Sequence, residues 1–546
     1  MNVPEAAASR PAVVLVPFPA QGHVTPMLNL ARALAAHGVA ATVAVPDFIH
    51  RRIAGLVAAE DAQQQGDTPV ELASIPSGIP DDDDGAGAGD GGTAPAAASP
   101  GFGAIAHAME HHMPAHLERM LLTRRRPVAC AVVDVLASWA VPVAARCGVP
   151  AAGFWPAMLA SYRVVAAIPE LIEKGLISES GTPVSSTELD NEEQAIGGLK
   201  LLPAQVELRA EELPWLVGDS ATQKSRFAFW LQTLHRARGF RSVLVNSFPG
   251  ESGAAEDGHW HAHQPPPRQS PPILPVGPAL LPAGAGGSVA VERTTKARPS
   301  AGGGGAAAAP ACGGGTTSPS LWRADSSCVA WLDAQREGSV VYVSFGSWVG
   351  PIGPEKVREL ALGLEATGRP FLWALRRDPS WRAGLPDGFA ERVAAGGGRG
   401  KVVDWAPQED VLRHAAVGCY LTHCGWNSTL EAVRHGVRLL CYPVAGDQFI
   451  NCAYITGPWE IGLRLAGMSR DAVKRCVERV MDGDDGRRLR EKVGALRERV
   501  VTAEARRAAE RNVRSFVDEI KRQQPHVRQI YSVSSDYACM YEAHVH

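Results

Sequence analysis

Residues 405–448 read WAPQEDVLRHAAVGCYLTHCGWNSTLEAVRHGVRLLCYPVAGDQ. Within them an apolar run, Gly418 to Thr422, has the length and character of a buried strand. It passes directly into His423-Cys424-Gly425-Trp426-Asn427-Ser428, which opens a helix; a second apolar strand, RLLCYP (438–443), then delivers Asp447-Gln448. Polar side chains at the carboxyl ends of parallel strands and at a helix N-terminus are where open α/β sheets bind nucleotides.

The same alternation runs outward in both directions. Towards the N-terminus, AVVLV (12–16) is a strand, PFPAQGH a loop, and Pro26 is expected in the first turn of a helix that Gly38 closes. Strands are predicted at 39–46, 129–135 and 242–248. In the back half they are predicted at 339–346, 370–375 and 401–404, with a helix from Pro354 to about Thr367. Two such series imply two doubly wound sheets. Between them, 253–324 is rich in Pro, Gly and Ala and is expected to be a largely disordered linker, with 273–282 packing as an extended island. The expected division is a first domain over 11–252, carrying a low-complexity insertion at 81–99, a second domain over 325–521, and an irregular tail over 522–546.

Composition narrows the class. A 546-residue chain with 45% hydrophobic and 20% charged residues is globular and long enough for two cores. A net charge of −3 with interspersed signs gives no reason to expect a nucleic-acid partner. Ten cysteines without a CxxC pair suit reduced, buried thiols. Prolines 17 and 19 cut the first apolar run short, so no signal peptide is read, and no run approaches the ~18 residues of a membrane span. Cytoplasm is the expected location and a monomer the expected state.

Taken singly, the residues of the 405–448 block have plain readings. Trp405 alone reads as a core indole, although an exposed one would offer a base a stacking platform. Ser428 and Glu431 have capping-box spacing, while Glu431 could equally accept two hydrogen bonds from a ribose diol. Asp447-Gln448 alone is a turn, though together they suit adjacent sugar hydroxyls. His23 alone is an incidental loop histidine, yet it lies at the carboxyl edge of the sheet, where Asp134 could reach its distal nitrogen. His107, His111, His112 and His116 have helical spacing but no converging carboxylate or cysteine, and read as a helix face rather than a metal site.

Taken together, Trp405, Gln408, His423, Gly425, Trp426, Asn427, Ser428, Glu431, Pro443, Asp447 and Gln448 closely resemble the plant secondary-product signature of the UDP-dependent glycosyltransferases, without insertion or deletion. PFPAQGHVTPMLNLARAL and VVYVSFGS extend the resemblance over most of the chain. It implies a GT-B fold, two facing Rossmann-like domains with a cleft between them. It also implies an inverting transfer of a hexose, glucose by the Gln448 position, from a UDP-sugar to a hydroxyl of a small hydrophobic acceptor. In that reading Trp405 stacks on uracil with Ala406 beside it, and Gln408 and Glu431 hold the ribose. Ser347, His423, Gly425, Asn427 and Ser428 meet the diphosphate, and Trp426, Asp447 and Gln448 face the sugar. His23 and Asp134 fall at the catalytic dyad. UDP-glucose is a co-substrate, and no cofactor or metal is implied. Trp139, Phe154, Trp155, Tyr162, Phe227 and Trp230 are candidates for the acceptor pocket or for core. Two other readings stay open: a non-catalytic nucleotide-sugar binding protein, and an epimerase or hydrolase of nucleotide sugars. Arg438, where the family usually has Pro, is expected to affect a strand start.

Overall fold

A computed structural model describes residues 10–63, 69–79, 101–184, 202–203, 205–206, 208–251, 271–281, 322, 324–347, 349–395 and 399–522. The 81–99 insertion, most of the 253–324 linker and nearly all of the 522–546 tail lie outside them.

Thirteen strands among these residues form two sheets. The first takes β1 (Ala12–Val16), β2 (Ala40–Pro46), β3 (Glu71–Ile75), β4 (Val128–Asp134), β5 (Ala151–Trp155), β6 (Phe240–Val245) and β7 (Ile273–Pro275) in the order β3-β2-β1-β4-β5-β6-β7. The second takes β8 (Val340–Ser344), β9 (Phe371–Ala374), β10 (Gly400–Val403), β11 (Val417–Thr422), β12 (Arg438–Cys441) and β13 (Gly462–Arg464) in the order β10-β9-β8-β11-β12-β13. All pairings are parallel. Helices cover both faces of a parallel sheet, so its central strands are apolar along their length. Val13 to Val16 and Val340 to Val343 are accordingly buried without alternation.

The chain reverses its direction of winding between β1 and β4 in one sheet and between β8 and β11 in the other. Loops at such a switch point diverge and leave a crevice at the carboxyl ends of the strands. His23 follows β1 and Asp134 ends β4; Ser347 follows β8 and His423 follows β11. Each predicted set therefore occupies the crevice of its own sheet.

Two local expectations are corrected and a third is extended. The first helix spans Gln21–Ala36, so it starts five residues before Pro26, takes His23 into its first turn, and leaves Pro26 inside. The 273–282 island supplies β7, paired with β6, rather than an extended connection. Arg438 does begin β12, but its buried guanidinium reaches further. It donates to the carbonyls of Gly418, Val480, Met481 and Gly486, the last turn of the Arg470–Met481 helix among them, which satisfies a cation without a carboxylate.

The Ala503–Arg522 helix returns to the first sheet. Val513, Phe516, Val517 and Ile520 bury against its core, and Asn512 donates to the Pro275 carbonyl at 2.7 Å. The two sheets are thus tied by chain as well as by contact. Aromatic rings meet at the seam between them: Trp426 is stacked on Phe248 with ring centroids 6.3 Å apart and an interplanar angle of 6°, and Trp459 lies 5.9 Å from Phe248.

Candidate active site

His23 Nδ1 donates to Asp134 Oδ2 at 2.8 Å. Asp134 is buried, and its second oxygen accepts from the Leu136 backbone N–H at 2.9 Å. A buried carboxylate held on both oxygens fixes the imidazole with its hydrogen on Nδ1, which leaves the Nε2 lone pair for a substrate proton. The His23 ring is about one quarter exposed and lies against Phe18, with centroids 5.1 Å apart.

Across the cleft, the Trp426–His435 helix begins at Gly425 without a side-chain cap. The first intrahelical bond comes from Thr429 N–H to Gly425 O, so the N–H groups of Trp426, Asn427 and Ser428 have no intrahelical acceptor. The capping-box reading of Ser428 fails here. Ser428 stands at the third helical position, not before the helix, and its Oγ accepts from Gln408 at 2.9 Å. An uncapped helix N-terminus carries partial positive charge and suits a phosphate group.

Gln408 is locked from four sides. Its Nε2 donates to Ser428 Oγ and to Glu431 Oε2 at 2.7 Å, and its Oε1 accepts from the hydroxyls of Tyr342 and Tyr420. The two tyrosines were not singled out in the sequence, since nothing in strands β8 and β11 marks their hydroxyls. Burial pushes Glu431 up to about 7, with the neighbouring Glu409 carboxylate adding to the rise against the Gln408 hydrogen bond and Arg434. Ribose hydroxyls donate to the ionised form, so binding of a nucleotide there should strengthen as pH rises through about 7 and weaken below it. One proton bounds the change to about tenfold per pH unit. Calorimetric titration with UDP across that range tests this, and Glu431→Gln should flatten the profile.

The His423 imidazole is buried between two glycines. A Cβ on Gly346 would stand 2.6 Å from its ring and one on Gly425 would stand 2.5 Å away, and Gly346 has a φ of 72° besides. Burial drives His423 down to about 4; a hydrogen bond with the Ser344 backbone opposes this and the Arg376 charge adds to it, so the ring is neutral. Its Nδ1 is buried without a protein partner, which marks it for a ligand. Trp405 is half-buried rather than core. It leans on Trp322 at 5.8 Å and lines a recess with Ser344, Phe345, Gly346, Ala374, Arg376 and Trp381. Ala406 is buried next to it in sequence, and Ser347 is half-buried in the turn after β8, beside Gly346. Arg376 is a cation the sequence reading passed over, because it follows a strand with no recognisable motif.

Two expectations about side chains are revised. The Trp426 indole turns into the seam, where Nε1 donates to Asn246 O at 2.6 Å; only its backbone is left for the cleft. The Asn427 carboxamide donates to Gly22 O at 2.9 Å. That carbonyl is available because its helical partner, four residues on, is Pro26, which has no N–H. The proline inside the first helix therefore provides the acceptor that brings the residue next to His23 against the uncapped helix.

Asp447 and Gln448 open the Gln448–Thr456 helix. Asn451 Nδ2 bridges Cys424 O and Asp447 Oδ2 at 2.9 and 3.0 Å. Burial raises Asp447, with the Asn451 bond and the electrostatic influence of the nearby His23 working against it. Gln448 Oε1 accepts from Val444 and Ala445 N–H, so its NH₂ is the end left for a ligand. Of the acceptor-pocket candidates, Trp139, Phe154, Trp155, Tyr162 and Phe227 are buried in the first core and Trp230 is half-buried. From His23 outward the aromatic succession is instead Phe18, Phe102, Phe229 and Trp230, with centroids 5.3 to 6.5 Å apart along the last three contacts. The four histidines at 107–116 sit on helix surfaces, His107 lying 4.6 Å from His111 and 5.4 Å from His112, and no metal-ligand group of three forms from them.

Known proteins resemble this chain in both halves. Residues 321–491 match the family model of UDP-glucuronosyl and UDP-glucosyl transferases, and 9–155 match a glycosyltransferase N-terminal domain. UDP-glycosyltransferase 82A1 of Arabidopsis thaliana is 43% identical over 94% of this chain and 99% of its own. DIMBOA UDP-glucosyltransferase BX8 of Zea mays is 33% identical over 89% and 93%. The crystal structure of Os79 from O. sativa in complex with UDP superposes with a TM-score of 0.67 at 26% identity, covering 93% of this chain and all of that one.

Proposed function

Since the chain belongs to the UDP-glucuronosyl and UDP-glucosyl transferase family, we propose that it transfers glucose from UDP-glucose to a hydroxyl of a small, largely apolar acceptor, with His23 as general base and Asp134 as its positioning partner. The enzyme is a UDP-dependent glycosyltransferase of the GT-B fold. The observation that carries the residue assignment is the His23–Asp134 pair at 2.8 Å, held against the uncapped Trp426–His435 helix by the Asn427 to Gly22 bond. The first sheet takes the acceptor and the second the donor, the first domain being 11–252 together with β7 and the returning Ala503–Arg522 helix, and the second the rest of 325–521.

In the reaction His23 Nε2 removes the acceptor hydroxyl proton while that oxygen attacks the anomeric carbon. The bond from that carbon to the diphosphate oxygen breaks with its electron pair, and UDP leaves. The negative charge that develops on the diphosphate is met by the helix N–H groups and the Arg376 side of the recess. Asp134 stabilises the imidazolium. A single displacement from the face opposite the leaving group converts an α-linked donor to a β-glycoside. Trp405 supports uracil, Glu431 takes the ribose with Gln408 holding its carboxyl in place, and Asp447 with the Gln448 NH₂ takes the hexose. The helix N-terminus takes the role that a metal plays elsewhere, so chelation should leave activity undiminished. No helix among the described residues is long and apolar enough to cross a membrane, and we place the enzyme, as a monomer, in the cytoplasm.

Incubation with UDP-glucose or UDP-galactose and a panel of phenolic and aliphatic alcohols, read by mass, tests the assignment. One hexose added per acceptor, with glucose preferred, is expected. Donor consumed without an acceptor product would mark a hydrolase or epimerase, and donor bound but unchanged a binding protein.

A further inference from the structure

Three thiols from three elements meet beneath the donor residues. Cys424 leaves β11 in a left-handed turn (φ 67°), Cys441 ends β12, and Cys452 lies on the Gln448–Thr456 helix. All three are buried and free, and their Sγ atoms lie within 4.8 Å of one another. Among the described residues no other group of three His, Cys, Asp or Glu side chains brings its ligand atoms so close. Buried cysteines ordinarily pack as small apolar groups. Three converging on one point from separate elements present a ligand set as well.

We propose that Cys424, Cys441 and Cys452 form a three-coordinate site for one thiophilic d¹⁰ cation, and that its occupancy weakens donor binding. Metal–sulfur bonds near 2.3 Å put three thiolates in a plane roughly 4 Å apart, which a small inward shift of the Cys424 turn and the Cys452 helix reaches with the strands in place. Soft thiolates select soft cations, and a fourth protein ligand of the kind structural zinc requires is not in the group. A divalent ion takes a lone pair from each sulfur, three S–H bonds break, and three protons pass to solvent with no change of oxidation state. The resulting complex carries one net negative charge. Arg464 acts electrostatically on both Cys452 and Cys424 and is itself paired with Glu212 of the first sheet's domain. Hydrogen bonds from Cys424 and then Cys441 favour the Cys452 thiolate, whereas burial raises the other two thiols.

The path to the donor is short. Cys424 stands between His423, whose ring packs against Gly346 of the recess, and Gly425 at the helix start. Asn451, next to Cys452, joins the Cys424 carbonyl to the Asp447 carboxylate. Drawing the three sulfurs onto one ion moves the turn and the helix that carry these groups.

Cadmium is a suitable probe. The native protein should bind one Cd²⁺ with a thiolate-to-metal absorption band that excess Mg²⁺ does not displace. X-ray absorption on the loaded protein should count three sulfur neighbours. Cys441→Ser and Cys452→Ser should each lose that one equivalent, whatever other cysteines bind. Loading should raise the UDP Kd about tenfold or more, equivalent to about 1.4 kcal/mol, in the native protein and not in the variants. Uptake is read without nucleotide, so it stands apart from the donor-site assignment. A cadmium ion with fewer than three sulfur neighbours, or uptake identical in native and both variants, would overturn the site. The sulfur count needs no variant and decides the matter if either substitution unfolds the chain. An unchanged UDP Kd on a fully loaded native protein would overturn the coupling.

Discussion

His23→Ala should lower kcat by about 10²–10⁴-fold, the range a positioned general base contributes, while UDP affinity stays at the native value. The split follows from the geometry. His23 stands on the first sheet and touches Asp134 and Phe18, whereas the groups assigned to the nucleotide stand on the second. Asp134→Asn should fall in the same range, for a different reason. An amide can present its NH₂ to Nδ1 and move the ring hydrogen to Nε2, where it blocks proton removal. The Leu136 N–H still has an oxygen to bond, so the fold should survive the change. A His23→Ala enzyme with near-native turnover would show that another group removes the acceptor proton. Steady-state kinetics with saturating donor, beside a UDP titration of each variant, separates the two effects.

Trp405→Ala should weaken UDP binding by about 1–3 kcal/mol, the worth of one base stacked on an aromatic ring, or roughly 5- to 150-fold in Kd. Trp405→Phe should recover part of it, since a smaller ring still offers a face. The half-buried indole on the recess wall, next to Arg376 and Gly346, is why so large an effect is expected from one side chain. Were it a packing residue only, the loss would appear in thermal stability and leave the Kd of folded protein unchanged. Equal UDP affinity in native and Trp405→Ala protein would remove the stacking assignment.

The strands nearest the site were the most legible. β1, β4, β8 and β11 are apolar throughout because helices cover both faces, and their carboxyl ends carry the polar residues that stood out. Three of the four edge strands and the small-residue strand β5 were not. β3 (ELASI) alternates with polar residues, β5 (AAGFW) opens on two alanines and a glycine, and β7 and β13 are three residues each, too short for any period to register. Pro26 misled because a proline is usual at a helix start, yet here the interior position has a function, since it frees the Gly22 carbonyl for Asn427. The dyad and the donor set could be named from motif resemblance. Their supports could not, because Asn246 with Trp426, Gly22 with Asn427, and Tyr342 with Gln408 are brought together only by folding across 66 to 405 residues of sequence. Ser428 shows the limit of local pattern. Its capping-box spacing is satisfied in the letters, but the helix starts earlier, at Trp426, and leaves the first turn open to an anion.

Placing His23 opposite a diphosphate seated on the Trp426–His435 helix commits the reaction to one displacement, and the configuration of the product reads this out directly. The glucoside formed from UDP-glucose should be isolated and the coupling of its anomeric proton measured by nuclear magnetic resonance. A β-linked product is expected; an α-linked one would contradict direct attack by an acceptor that His23 activates.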